Sequence, residues 1–298
     1  MRSLPPDAFV RLLREAFHNW KEHKAPRLGA ALAYYTVFSL APLLSIAVAI
    51  AGLAFGQQAA QGEIVEQIQG LVGREGAQFI EGMLESARQP AQGLSAAFVG
   101  VTALLFGALG AFSQLQDALN TIWEVRPKPG RGLKRVLLGR FVSFALVLGI
   151  GFLMLVSLVV SAGLAAVSEY FGGLLLGTAF VLETFNTAVS LGVTTLLFGV
   201  IFKVLPEVKL AWRDVWPGAA LASLLFTVGK FLIGLYLGNS GVGSAYGAAG
   251  SLIVLLIWIY YSAQILLFGA EFTKVYASTF GSQAAARPRV HPSMVRDR

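Results

Sequence analysis

No cysteine occurs in the 298 residues, so disulfides and thiolate metal sites are excluded. Histidine is nearly as scarce. His18, His23 and His291 lack metal-ligand spacing. The chain has no H-E-x-x-H, no G-x-S-x-G and no cluster of Asp and Glu of the kind that holds two metals. We therefore expect no catalytic residues, no metal and no cofactor. Charge is thin as well: 13% of residues are Asp, Glu, Lys or Arg, against 56% hydrophobic. That balance is too apolar for one soluble domain of this length.

What the chain has instead is six long apolar runs: Gly29–Phe55, Gly93–Phe112, Phe141–Val167, Thr178–Phe202, Gly218–Leu237 and Gly250–Ala270. Each approaches or exceeds the roughly 20 residues that cross a bilayer core as a helix. The expected fold class is all-α: a polytopic membrane protein of six transmembrane helices, with an N-terminal interfacial helix and an outer helical hairpin. The first run follows a polar segment and is about twice as long as a signal-peptide core, so it reads as a span.

The net charge of +7 is placed unevenly. Arg2, Arg11, Arg14, Lys21, Lys24 and Arg27 precede the first run. Six more basic residues lie between Arg126 and Arg140, and Lys203, Lys209 and Arg213 join the fourth and fifth runs. The tail carries Lys274, Arg287, Arg289, Arg296 and Arg298, while the opposite side has only Arg74 and Arg88. The positive-inside rule then puts both termini in the cytoplasm. Trp20, Trp123, Trp212 and Trp216 fall at the same boundaries, as interfacial anchors do. Basic residues spread over four segments make no nucleic-acid patch, so no such partner is expected.

Residues 1–28 form a cytoplasmic segment whose Asp7–Lys24 stretch reads as an amphipathic helix capped by Asp7. Its stripe is Phe9, Leu12, Leu13, Ala16, Phe17 and Trp20. A basic helix of this kind lies on the anionic inner leaflet, and docking on a partner is the alternative. Residues 29–277 form the transmembrane domain, with a periplasmic hairpin inserted at 57–92. In that insert Ile64, Ile68, Leu71 and Val72 make one apolar face, and Phe79, Ile80, Met83 and Leu84 another. Gly73 and Gly76 punctuate them. Its acids, Glu63, Glu66, Glu75, Glu81 and Glu85, read as a solvated face. Residues 278–298 read as a disordered basic tail. Pro42 is expected to kink the first span near Thr36 and Ser39.

Polar residues inside the runs carry the functional expectation. Lys230 is the most costly, at about 2.5–3.5 kcal/mol for a charge at mid-bilayer, so it should face the bundle interior and find a partner. At 1.5 Å of rise per residue, Lys230 lies about 18 Å from the inner boundary and Glu183 about 8 Å below the outer one. In a core about 30 Å thick their depths differ by only about 5 Å, which allows a pair. Asn186 joins Glu183 on the fourth run, Ser223 and Thr227 precede Lys230 on the fifth, and Tyr260, Gln264 and Glu271 recur on the sixth. Glu271 lies near the boundary, where it can snorkel. The substrate-path candidates are thus Lys230, Glu183, Asn186, Thr227, Gln264 and Glu271, with Arg213 and Asp214 as an inner gate. The same residues would otherwise serve as interhelical glue. Gly234 with Gly238, and Gly107 with Ala111, have the spacing of close helix contacts.

Several separated motifs resemble one family. Ala31-Leu32-Ala33-Tyr34-Tyr35-Thr36 is followed by Phe38-Ser39-Leu40 and Pro42. Leu115-Gln116-Asp117-Ala118-Leu119-Asn120 is followed by Ile122-Trp123. Later come Leu205-Pro206, Trp212-Arg213-Asp214-Val215, Pro217-Gly218, Gly229-Lys230, Gly234-Leu235-Tyr236, Ser244-Ala245-Tyr246-Gly247 and Gly269-Ala270-Glu271. From about residue 15 to 277 this order resembles the YihY/BrkB family of bacterial inner-membrane proteins. The resemblance implies that location and a fold of about six spans. Many members carry the label ribonuclease BN; others are labelled virulence factors or transporters. This chain offers no acid–base or metal set for phosphodiester hydrolysis, so an enzyme is not expected. The expected function is movement of a lipid or small anionic envelope component. The alternative is a non-transporting scaffold for envelope proteins, and the oligomeric state stays open.

Overall fold

Every regular element among the described residues is a helix, and no strand occurs among them. The computed structural model describes residues 6–88, 110–125, 178–240 and 250–282. The expected span Phe141–Val167, nearly all of Gly93–Phe112, the basic connection 126–140, the Gly-rich connection 241–249 and the tail beyond 282 lie outside the described residues. The helices are α1 (Pro6–Glu22), α2 (Ala25–Phe55) and α3 (Gln57–Arg88). A helical stretch at 110–122, α4, follows. Then come α5 (Thr178–Val204), α6 (Trp212–Ser240) and α7 (Gly250–Thr279). Three segments among the described residues are long and apolar enough to cross a membrane: Thr187–Val204, Trp212–Ile233 and Gly250–Thr279. Only 17% of the first is buried although it is predominantly apolar. In water such a surface would drive aggregation; it suits a hydrocarbon solvent, where helices satisfy their backbone groups internally.

The joints between helices follow from local backbone chemistry. Lys24 turns the chain from α1 to α2 in the left-handed region, at φ 53° and ψ 40°. Pro26 is accommodated in the first turn of α2, where its missing N–H has no intrahelical acceptor to satisfy. Gly56, at φ 84°, is the single residue between α2 and α3, and its N–H reaches Gly52 O at 3.0 Å. A side chain at that φ would be strained. α1 begins at Pro6, so Asp7 lies in its first turn and is not the cap expected of it.

The expected hairpin at 57–92 is corrected. α3 is one continuous helix of 32 residues, about 48 Å long, and passes through Gly73 and Gly76 without a break. A helical glycine costs about 1 kcal/mol, too little to end a helix whose apolar face is docked. Ile68 and Phe79 are eleven residues apart, three helical turns, so the two apolar faces read in the sequence are one stripe. Ile80 and Leu84 are buried against Val37 of α2 and Leu255 and Trp258 of α7, with Val65, Ile68 and Phe79 alongside. α3 thus runs beside α2 and α7. Glu66, Glu81 and Glu85 are exposed, as a solvated face requires.

α7 is the central element, packing against α1, α2, α3 and α6. Its contact with α6 is made by small residues. A Cβ on Gly218 would lie 2.7 Å from the Gly269 carbonyl oxygen, and one on Gly269 would lie 2.7 Å from the Ala222 Cβ. Glycine at both positions lets the backbones approach, the usual basis of helix association without a hydrophobic drive. A larger cluster beside it joins Leu119 and Ile122 of α4, Phe198 and Phe202 of α5, Val215 and Ala219 of α6, and Leu267 of α7.

α1 docks on α7 by part of its expected stripe. Leu12 and Ala16 are buried with Phe272 and Val275, and Phe9 meets Phe272 edge-on at 5.8 Å. Phe9, Val10 and Phe17 keep exposed faces. Phe17 stacks on Trp20 at 5.7 Å, and the Lys21 ammonium sits 4.4 Å above the Phe17 ring.

Candidate functional site

Two helix ends bring charge to one corner. α4 closes with Val125 N–H on Asn120 O at 2.9 Å and Glu124 N–H on Thr121 O at 3.1 Å. This double return is a Schellman motif, and it places Glu124 where glycine is preferred, at φ 53°. The left-handed backbone costs a residue with a Cβ about 1–2 kcal/mol. The side chain gains something in return. Lys274 Nζ lies 2.5 Å from Glu124 Oε1, and His23 Nε2 lies 3.5 Å from the same oxygen. The hydrogen bond and charge of Lys274, helped by His23, hold the Glu124 carboxyl below the usual carboxylate range against partial desolvation.

His23 sits at the α1–α2 corner, next to the left-handed Lys24. Its Nδ1 lies 2.6 Å from Glu271 Oε1 on α7. Glu271 is fully buried, and its Oε2 has no hydrogen-bond partner among the described residues. The indole N–H groups of Trp20 and Trp123 are likewise buried and unpartnered there. The expectation that Glu271 snorkels outward is corrected: it turns inward because the His23 ring meets it. Two turns earlier on α7, the Gln264 amide occupies space left by Gly29 of α2, where a Cβ would collide with it. Neither amide atom has a partner among the described residues.

Asp214 is buried in the first turn of α6, where the helix dipole favours an anion. The Ser282 N–H donates to its Oδ2 at 3.0 Å, and the Ser282 hydroxyl donates to the same oxygen. Arg213 is exposed, its Nε 3.7 Å from Asp214 Oδ1. The two gate candidates are therefore unlike. Asp214 is covered by the chain leaving α7, and Arg213 is open.

At mid-helix the picture reverses. The Ser223 hydroxyl donates to Leu191 O of α5 at 3.1 Å, and that contact sets the register of the antiparallel α5–α6 pair. Lys230 lies seven residues past Ser223 and Glu183 eight before Leu191, about 10.5 and 12 Å along the axes, so the two positions are level. The side chains of Glu183 and Asn186 lie outside the described residues, and so does any pair they make with Lys230. Lys230 was expected to face the bundle interior. Among the described residues it is exposed, with Thr227, Phe231 and Leu232. The cause is geometric: Gly229 is buried against Tyr261, and the next residue is turned about 100° away. The Thr227 hydroxyl donates to Ser223 O at 2.9 Å.

The structure thus joins Glu271 to three residues that sequence reasoning passed over: His23, Glu124 and Lys274. In the sequence His23 stands out only as a histidine without metal-ligand spacing. One local signal was available, a histidine at the break between two helical patterns. Nothing in the sequence ties it to a residue 248 positions away.

Comparison with known proteins fits this architecture. A UPF0761 membrane protein of Pseudomonas aeruginosa is 29% identical over 96% of this chain and 66% of its own length. A namesake from Stenotrophomonas maltophilia is 27% identical over 89% of this chain and 60% of its own. One from Alkalilimnicola ehrlichii is 30% identical over 84% and 54%. The chain therefore spans only about half to two-thirds of the length of the curated relatives it matches. No solved structure matches it. The model of the family Virulence factor BrkB matches residues 16–292. That stretch takes in the His23–Glu271 contact, Lys230 and the small-residue crossing alike, and the chain belongs to the BrkB family of membrane proteins.

Proposed function

We propose that this protein moves a lipid or small anionic component across or into the bacterial inner membrane, with both termini on the cytoplasmic side. One observation carries the reading. Lys230 places a cation in an exposed stretch of α6, among the exposed Val228, Phe231 and Leu232 and beside the exposed Thr227. An ammonium there is costly in hydrocarbon and needs an anionic partner. A lipid phosphate or a soluble anion supplies one, and the Glu183 position, level with it on α5, supplies one when the path is empty. Asn186, Thr227 and Gln264 would offer hydrogen bonds along the way. The basic segments support the orientation.

The test is transfer of fluorescent anionic and zwitterionic lipids between leaflets of vesicles holding the purified protein. Native transfer that Lys230→Met loses supports the reading. Equal transfer by both sinks the role of Lys230. No hydrolytic step belongs to this function, and metal-dependent RNA cleavage by the purified protein would contradict it.

A second reading draws on α1. Phe9, Val10 and Phe17 remain exposed after α1 docks, with Arg14 and Lys21 on the same helix. This surface suits the anionic inner leaflet, and it suits a scaffold that organises envelope proteins. A scaffold predicts that recharging α1 matters more than Lys230→Met.

A further inference from the structure

Four ionisable side chains from three elements form one chain of contacts: Glu271, His23, Glu124 and Lys274. The links are 2.6 Å, 3.5 Å and 2.5 Å. Each ring nitrogen of His23 faces a carboxylate oxygen. Neutral imidazole has a single N–H, so only imidazolium donates to both. In that form two cations answer two anions and the cluster is neutral. Without that proton, one carboxylate faces a lone pair. Glu271 is the worse placed of the two, being fully buried with Oε2 already unpartnered among the described residues.

The site also has a mechanical position. His23 opens the two-residue turn that carries α1 into α2, and Glu271 and Lys274 lie on α7, the helix on which α1 docks. Lys24, next to His23, and Glu124, within the cluster, are the two non-glycine residues with positive φ among the described residues. Strained backbone persists where the surrounding contacts hold it, and it collects at switches. The charged groups acting on Glu271 are His23 from the α1–α2 corner, Glu124 from the end of α4 and Lys274 from α7 itself.

We propose that Glu271 and His23 form a proton-binding site that locks α1 onto α7. The lock is closed with Glu271 ionised and His23 protonated. Raising the pH removes the imidazolium proton and opens it. Lowering the pH far enough to protonate Glu271 opens it from the other side. The proposal does not depend on what the membrane domain moves.

The absence of native cysteine makes a direct test available. Glu15→Cys on α1 and Thr279→Cys at the end of α7, both exposed positions, carry spin labels in the full chain reconstituted in vesicles. The distance distribution is followed from about pH 5 to pH 9, which brackets imidazole titration. One short distance near neutral pH is expected, with the longer population rising about threefold or more towards alkaline pH. His23→Lys, cationic throughout, keeps the short distance at high pH. His23→Gln and Glu271→Gln each remove the pH dependence, and His18→Gln leaves it intact. A distribution in the labelled, otherwise native chain that does not change with pH overturns the proposal. So does a pH dependence that survives His23→Gln, which would assign the titration elsewhere.

Discussion

Glu271 and Lys230 are both charges on apolar helices, and the molecule treats them in opposite ways. Glu271 is buried at a helix junction and meets a histidine 2.6 Å away. Lys230 stands exposed among the described residues, in a stretch of α6 where Phe231 and Leu232 are exposed too. A charge answered within the protein fixes an arrangement of helices. A charge left at the surface of a membrane helix has to be answered from outside or by another part of the chain. The first suits a lock and the second a contact with something that comes and goes.

The contrast is broken most severely by His23→Ala. Stripping one partner from a buried ion pair costs about 3–5 kcal/mol. Glu271 escapes part of that cost by taking up a proton, so the loss should shrink as the pH falls. Thermal unfolding in detergent at several pH values reads both the size and the slope. Next in size is Gly218→Val, which forces a side chain against the Gly269 carbonyl and Thr273. Overpacking of this kind costs about 1–3 kcal/mol. It should lower the yield of folded protein while leaving the α1–α7 distance of the surviving fraction in place.

Lys230→Met sharpens the comparison from the other side. It should reduce lipid or anion transfer at least about tenfold, equivalent to about 1.4 kcal/mol, with no loss of thermal stability. A variant that loses stability in the same measure would make Lys230 a structural charge like Glu271. The smallest effect concerns Glu124. Its carboxyl is depressed by Lys274 and then His23, so its contribution is present above the ordinary carboxylate range and lost as the pH falls below it. Glu124 itself is largely exposed, which holds that contribution to about 1 kcal/mol or less. Glu124→Gln should flatten the acid limb of stability. Glu124→Gly gives up the pair but relieves the left-handed backbone, and should come out near zero.

The helices and the family were legible in the sequence because both rest on local or ordered signals. Apolar runs marked α5, α6 and α7, and the motifs around Trp212 and Gly269 pointed to BrkB. α3 was misread because Gly73 and Gly76 looked like punctuation. What keeps it whole is tertiary: Ile80 and Leu84 are buried on α2 and α7. The inward turn of Glu271 was illegible for the same reason, since its partner lies at the far end of the chain. Lys230 was judged by its cost alone. Its direction depends on Gly229, whose packing against Tyr261 rotates the next residue outward.

α7 holds α1, α2, α3 and α6, yet it follows every one of them in the chain. During synthesis those four helices must wait with their docking faces unoccupied. Ala222 and Gly218 have no crossing partner until Gly269 is made, and Leu12 has no seat until Phe272 and Val275 arrive. Assembly is therefore gated by the arrival of α7, and a ribosome stalled before residue 250 leaves a set of helices without the element that joins them.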